Sequence, residues 1–426
     1  MKRIKAVEGE PLNCTAYEER LARRELGRFQ KSLRPRLAFY DTRDGHTRPQ
    51  NIVGTVRLDS RTVLDVSPKT MPDTDWVTSV VELMLPSRSS VSGSRSGSRS
   101  PQHRNLTDAI AIVYADRLER ALRTEGPLEL IERQELVSGT LHGKLDLARW
   151  TRTSVLTPNR FPVTTSRLTA DNSFAAVMSF CADALSRDTR DAATGARLRS
   201  LSQSLRVGHL PALAVNASDA QRQLPPQWRG YTDVWDVATA LLARQALVGA
   251  QGRLAAFNVA VESWPLLEEL VQRTIDTMAL LAAEEGMDWS RGHRLPRPLL
   301  RRGDSEAVER EARDVIPDGV LLESGRTRAT FEAKYTRLNG RPAPRGHVFQ
   351  AVATAAAHGA REAVLIYPER IPPVVFGVEG HHGVPARLIV QGVDLYAYRP
   401  GELTQAQALV DALRQVHSLP ANRSSP

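Results

Sequence analysis

The sequence predicts an α+β multidomain chain: a β-rich N-terminal module over 1–86, a mostly helical middle region over 105–254 and a C-terminal α/β core over 255–426. Three observations predict it. Apolar and polar residues alternate in parts of the first eighty positions, apolar residues recur at helical spacing through the middle third, and the last third breaks into short apolar runs separated by turn residues. With 426 residues the chain also exceeds one typical hydrophobic core.

In the first module, Asn51-Ile-Val-Gly-Thr-Val-Arg-Leu58 and Thr62-Val-Leu-Asp-Val-Ser-Pro-Lys69 read as short half-buried strands. From Ser87 to Arg104 the chain becomes Ser/Gly/Arg repeats with Val91 as the single bulky apolar residue, so burial there does not offset chain entropy, and we expect a disordered basic loop. Helical periodicity resumes from Leu106 to about Arg123, over 172–206 and over 233–250. The glycine-punctuated stretch Val137-Ser-Gly-Thr-Leu-His-Gly-Lys-Leu-Asp146 interrupts it as a strand.

In the last third, Trp264 to about Glu284 predicts a long helix, with Ser263 as N-cap and Pro265 in its first turn. Val315–Leu322, Ala329–Tyr335 and Ala363–Tyr367 predict strands, and His347–His358 an Ala-rich helix ended by Gly359. A closing helix is expected from Glu402 to about Val416.

Composition excludes several classes. Hydrophobic residues at 41% and charged residues at 25% rule out wholesale disorder. Two cysteines, Cys14 and Cys181, support neither a disulfide framework nor a four-ligand zinc site and fit a reducing compartment. The basic start has no apolar region behind it, and no stretch reaches the roughly 18 apolar residues of a membrane helix, so the expected location is cytoplasmic, without a membrane. Phosphate-cradling motifs of the G-x-x-x-x-G-K-[ST] and G-x-G-x-x-G types are missing, the adjacent His381 and His382 point to opposite faces of an extended chain, and aromatics at 5% form no stacking platform. The net charge of +9 suits a polyanionic partner such as nucleic acid, and equally an ordinary solvated surface.

One stretch carries chemistry: Asp314-Val-Ile-Pro-Asp318, continuing to Thr330-Phe-Glu332-Ala-Lys334-Tyr335. Folded as a hairpin about Gly325, residues whose numbers sum to 650 face each other, which sets Asp318 opposite Glu332. Strand alternation brings Lys334 to the side of Glu332 and sends Ala329, Phe331, Ala333 and Tyr335 to the other. Two close carboxylates repel unless a proton or cation intervenes, and Mg²⁺ takes such oxygen ligands. A carboxylate-held Mg²⁺ activates water and neutralises a phosphoryl oxygen, which is the chemistry of phosphodiester hydrolysis.

The same spacing also suits a solvated strand face with Asp318 as a turn acid. Against that stand the apolar neighbours Ile316, Val320 and Leu322, and the choice of lysine at 334. Lysine occurs only at 2, 5, 31, 69, 144 and 334, so 51 of the 57 basic residues are arginine. A compact, deprotonatable amine differs chemically from a guanidinium.

These residues resemble the PD-(D/E)xK nuclease superfamily, with Pro317-Asp318 and Glu332-Ala333-Lys334 in the place of its motif. More narrowly the chain resembles the McrC family, the nuclease subunits of McrBC-type 5-methylcytosine-dependent restriction systems. Val53-Gly54 with Val66-Ser-Pro68-Lys69, Leu141-His-Gly143-Lys144-Leu-Asp146, Leu168-Thr-Ala-Asp171-Asn172 and Trp264-Pro-Leu-Leu-Glu268-Glu269-Leu-Val carry that narrower likeness.

The resemblance implies a restriction-endonuclease-like C-terminal core that binds Mg²⁺ through Asp318, Glu332 and the backbone carbonyl of Ala333, with Lys334 as the catalytic lysine. It implies Glu268 as a further ligand, although Glu269 beside it leaves open which acid faces the site. Gln350 matches a glutamine that touches DNA or orders the lysine, while Thr354 stands where the pattern has tyrosine and His142 where it has arginine. The implied partners are an AAA+ GTPase resembling McrB, docked on the N-terminal regions, and methylated DNA recognised by that partner. The alternatives are a non-catalytic activator of the motor and a stand-alone nuclease in DNA repair.

Overall fold

The computed structural model describes residues 2–33, 37–59, 61–69, 76–84, 105–169, 172–205, 215, 221–243, 259–299, 314–378 and 386–414. They fall into two compact units. One comprises 1–30, 34–103 and 260–426, and the other 31–33 and 104–259. The Ser/Arg segment expected to be disordered at 87–104, and His381 and His382, lie outside the described residues.

The first unit begins with β1 (Lys2–Val7), α1 (Ala16–Leu33), the two-residue strands β2 (Tyr40–Asp41) and β3 (Arg48–Pro49), then β4 (Ile52–Arg57), β5 (Thr62–Ser67) and α2 (Trp76–Met84). Thr15 and Glu18 form a reciprocal cap on α1: the Glu18 amide donates to Thr15 Oγ1 at 3.3 Å and the Thr15 amide donates to Glu18 Oε2 at 3.1 Å. The two expected strands form as β4 and β5, paired antiparallel, and the Asp59 side chain closes their turn by accepting the amides of Arg61 and Thr62 at 2.7 Å each. β1 runs parallel to β5.

The second unit holds α3 (Leu106–Glu125), β6 (Leu130–Ser138), β7 (Lys144–Leu145), α4 (Leu147–Thr153), β8 (Phe161–Thr169), α5 (Ser173–Asp188), α6 (Ala192–Leu205) and α7 (Thr232–Ala243). Asn105, Asp146 and Asn172 each cap a helix by accepting an amide three residues on. The periodicity over 172–206 is two helices, divided at Thr189 and Arg190, both of which donate to Asp108. The glycine-punctuated stretch is one end of a three-stranded antiparallel sheet, β6-β8-β7. This region is therefore less uniformly helical than expected, because β6 and β8 pair antiparallel over nine residues each.

The chain returns to the first unit through β9 (Val259–Glu262), α8 (Ser263–Glu284), β10 (Trp289–Arg291), β11 (Arg297–Pro298), β12 (Asp314–Val315), β13 (Gly319–Glu323), β14 (Arg326–Ala333), α9 (Arg345–Ala357), β15 (Glu362–Tyr367), β16 (Val374–Gly377), β17 (Arg387–Gly392) and α10 (Thr404–Arg414). β9 adds to the N-terminal sheet, in the order β1-β5-β4-β9. The N-terminal module and the last third, expected as separate domains, thus share one unit. Ser263 is the first helical residue of α8 and Glu262 the cap, without a side-chain bond, so the expected Ser263 cap shifts by one position.

Six strands form a mixed sheet in the order β10-β13-β14-β15-β17-β16. Its centre, β14-β15-β17, is parallel, and β10, β13 and β16 run antiparallel to their neighbours. β15 is buried along its whole length, as a central parallel strand requires, and α9 packs on the sheet through Ala351 and Ala355.

Candidate active site

The hairpin β13–β14 has the expected register where it matters. Gly319 pairs with Phe331, Val320 with Thr330 and Leu321 with Ala329. A bulge between Leu321 and Leu322 then shifts the pairing by one residue toward the turn, where Ser324 and Gly325 both take positive φ. Asp318 sits just before β13, and its amide donates to Phe331 O at 2.9 Å. The Ala333 amide donates to Asp318 Oδ2 at 2.8 Å, which extends the ladder by one side-chain rung. Asp318 and Glu332 are both buried, with 6% and 2% of their surfaces exposed.

Glu332 is the centre of a closed polar triangle. Lys334 Nζ donates to its Oε2 at 3.1 Å and to Gln350 Oε1 at 2.9 Å, and Gln350 Nε2 donates back to the same Glu332 Oε2 at 3.0 Å. β14 supplies Glu332, Lys334 follows directly after its last residue, and α9 lays Gln350 over them. Burial pushes the Glu332 carboxyl above its ordinary range, the nearby Lys334 ammonium opposes that shift and the Asp318 charge adds to it. The second oxygen, Glu332 Oε1, is buried and makes no hydrogen bond of normal geometry, although the buried Thr354 hydroxyl stands close enough to pull the carboxyl pKa down.

A buried anionic oxygen in that state is costly unless a proton or a cation satisfies it. Beside Asp318 it fits a hard divalent ion. Two carboxylates and a backbone carbonyl suffice for such a site. No group of three or more His, Cys, Asp or Glu side chains is placed to hold a metal among the described residues.

Glu268 therefore does not join Asp318 and Glu332 as a third clustered acid. It is the more buried of the two candidate glutamates, and Arg294 donates to its Oε2 at 3.1 Å, while Glu269 pairs with Arg273 one turn along the helix. One turn beyond Glu268, Gln272 Nε2 donates to the Asp318 backbone carbonyl, so this face of α8 does pack on the Asp318 loop. Gly319 permits the approach: a Cβ there would lie 2.4 Å from Ile275 Cδ1 and 3.1 Å from Val271 Cγ1.

Sequence reasoning missed Gln272, Arg294 and His347. His347 Nδ1 lies 3.0 Å from the Tyr367 hydroxyl, and burial, together with the Lys334 charge, pushes its imidazole pKa down. Glutamine and arginine on a helix and a loop carry no spacing signal that marks them. Other motif residues have structural explanations. Asn172 caps α5, Asp146 caps α4, and Gly143 lets β7 approach β8, since a Cβ there would meet Thr164 O at 2.5 Å. His142 Nδ1 lies 2.9 Å from Thr140 Oγ1 on an exposed turn, and Lys144 is exposed in β7.

A mixed six-stranded sheet with an acid-acid-lysine cluster at a hairpin defines an α/β protein with a buried ionic centre. The chain belongs to the McrBC 5-methylcytosine restriction system component family, whose model matches residues 47–368. Its fold is similar to that of a chain in the refined half-complex from the tetradecameric assembly of Thermococcus gammatolerans McrB AAA+ hexamers with bound McrC, with a TM-score of 0.65 and 12% identity, covering 97% of this chain and 100% of that one. The cryo-EM structure of the Thermococcus gammatolerans McrBC complex gives a TM-score of 0.49 and 13% identity over 64% of this chain and 88% of that one. No curated protein matches the sequence. Among the described residues, no helix is long and apolar enough to cross a membrane.

Proposed function

We propose that this chain is the nuclease subunit of a modification-dependent restriction system, with a PD-(D/E)xK core that hydrolyses DNA phosphodiester bonds in a Mg²⁺-dependent reaction. The observation that carries the reading is the Glu332–Lys334–Gln350 triangle beside a second buried acid, Asp318, on one hairpin. Asp318, Glu332 and the Ala333 carbonyl would hold the ion, and Glu268 would reach it through a change of partner from Arg294. Bound there, the ion supplies Lewis acidity and lowers the pKa of water.

The chain's own residues do the rest. Asp318 is seated on the Ala333 amide and Gln272, so its carboxylate is fixed before any ligand arrives. Lys334, held by two acceptors, presents an ammonium to a phosphate oxygen or a nucleophilic water, and Gln350 keeps it aimed.

The partner is an AAA+ GTPase resembling McrB, which targets the DNA. Support comes from the second unit, where Val137 of β6, Leu147 of α4, and Leu141, Val155 and Leu156 of the segments between β6 and β8 are exposed, and Trp150 stacks on Phe161. Exposed apolar residues of this kind mark a surface that binds protein. The test is incubation of the chain with methylated and unmethylated DNA, Mg²⁺ and GTP, with and without the motor. Cleavage of methylated DNA that needs the motor and is lost in Asp318→Ala supports the proposal, and undiminished cleavage by Asp318→Ala sinks it.

A further inference from the structure

Behind the Ala333 end of β14 lies a second buried polar cluster that the proposed reaction does not use. Glu8, just past β1 and 1% exposed, accepts the Tyr335 hydroxyl at 2.5 Å, and that hydroxyl lies 2.7 Å from the hydroxyl of Tyr396. Lys69, just past β5, sets its ammonium 4.3 Å from the centroid of the Tyr335 ring; burial pushes the Glu8 carboxyl above its ordinary range, and the Lys69 charge opposes that shift. Arg337 Nη1 donates to the Lys69 carbonyl at 3.0 Å. Tyr396 is tied in turn to α2, whose Ser79 Oγ donates to its carbonyl at 2.7 Å.

Tyr335 is the residue after Lys334, and alternation along an extended chain sends their side chains to opposite faces. The Lys334 side chain points to Glu332 and Gln350, while the Tyr335 side chain points to Glu8. An apolar filler behind the strand would supply burial energy without direction. A carboxylate, an ammonium and two phenols fix angles as well as distances; Glu8 Oε2 and both phenol hydroxyls are hydrogen-bonded, while Glu8 Oε1 is buried without a partner.

We propose that Glu8 and Lys69 are positioning residues for Lys334. They clamp Tyr335, and through the peptide link between 334 and 335 they fix the backbone from which the Lys334 ammonium is aimed. The N-terminal sheet, far away in sequence, thereby becomes part of the cleavage centre. It also gives Lys69, one of only six lysines, a function beyond surface charge. This inference rests on the nuclease reading, so its test includes a control for that reading.

The experiment compares the full chain with Glu8→Ala, Glu8→Gln, Tyr335→Phe and Lys334→Ala in two measurements: single-turnover DNA cleavage with saturating Mg²⁺, GTP and motor, and hydrogen exchange of the peptide spanning 332–338. Tyr335→Phe and Glu8→Ala are expected to lower the cleavage rate about tenfold with unchanged DNA affinity in protein that is still folded, because a misaimed group loses rate rather than binding. Amide exchange at 332–338 is expected to speed up about fivefold in both. Glu8→Gln, whose amide oxygen still accepts the tyrosine hydroxyl, recovers most of the rate.

Wild-type exchange and rates within twofold of wild type in Tyr335→Phe overturn the inference, even if Glu8→Ala fails to fold. If Lys334→Ala cleaves as well as wild type, the nuclease reading fails, and the exchange data alone then decide whether Glu8 and Tyr335 hold the strand end.

Discussion

The backbone amide of Ala333 donates to the carboxylate of Asp318 at 2.8 Å, so the first acid of the site is anchored on the strand that carries the second. This bond separates charge from shape. Asp318→Asn keeps an acceptor oxygen for the amide and loses the anion, so cleavage is expected to vanish while the melting curve stays close to wild type. Asp318→Ala also strands the buried amide and is expected to cost about 1–3 kcal/mol in a denaturant titration.

Lys334 has two acceptors at 2.9 and 3.1 Å in a confined space. A guanidinium is larger, planar and always charged, so Lys334→Arg is expected to lose roughly 100-fold or more in single-turnover rate without loss of DNA binding. Gln350→Ala removes one of the two acceptors and is expected to fall between wild type and Lys334→Ala.

The raised Glu332 carboxyl has a signed consequence for stability. The folded state holds its proton more tightly than the unfolded chain, so this residue's contribution is most favourable at acid pH. That contribution is lost as pH rises from the ordinary glutamate range through the folded pKa. In EDTA, Glu332→Gln is therefore expected to melt above wild type at neutral pH, with the gap closing as the solution is acidified. Calorimetry across pH reads this directly.

Gly319 sits where α8 packs on the hairpin, and a methyl group would meet Ile275 at 2.4 Å. Gly319→Ala is expected to destabilise the fold by about 1 to 3 kcal/mol through overpacking. Because it also pushes Gln272 away from the Asp318 loop, it should lower cleavage in protein that is still folded.

Much of this was legible in the sequence, and the reasons are local. Proline, glycine and alternation around Asp318, Gly325 and Glu332 set the hairpin register, and the apolar repeat after Trp264 set α8. The bulge at Leu321/Leu322 was not legible, because either register buries apolar residues there. β10 is a three-residue strand that exists through pairing, whereas β16 and β17 carry strand-forming Val374, Val375, Phe376, Ile389 and Val390 that the expected strand set left out. The union of the N-terminal sheet with the last third rests on β9 and on Glu8 meeting Tyr335, contacts between residues hundreds of positions apart that leave no periodic trace. The family resemblance implies Glu268 as a ligand, while its pairing with Arg294 depends on how the loop after β10 folds back and has no trace in the sequence.

The central claim, that Asp318 and Glu332 share one divalent ion, is tested most directly by titrating the metal-free chain with Mn²⁺ and counting bound ions by electron paramagnetic resonance. One site per chain is expected, displaced by Mg²⁺ and lost in both Asp318→Asn and Glu332→Gln. Undiminished Mn²⁺ binding in those two variants, or none in the wild-type chain at millimolar metal, contradicts it.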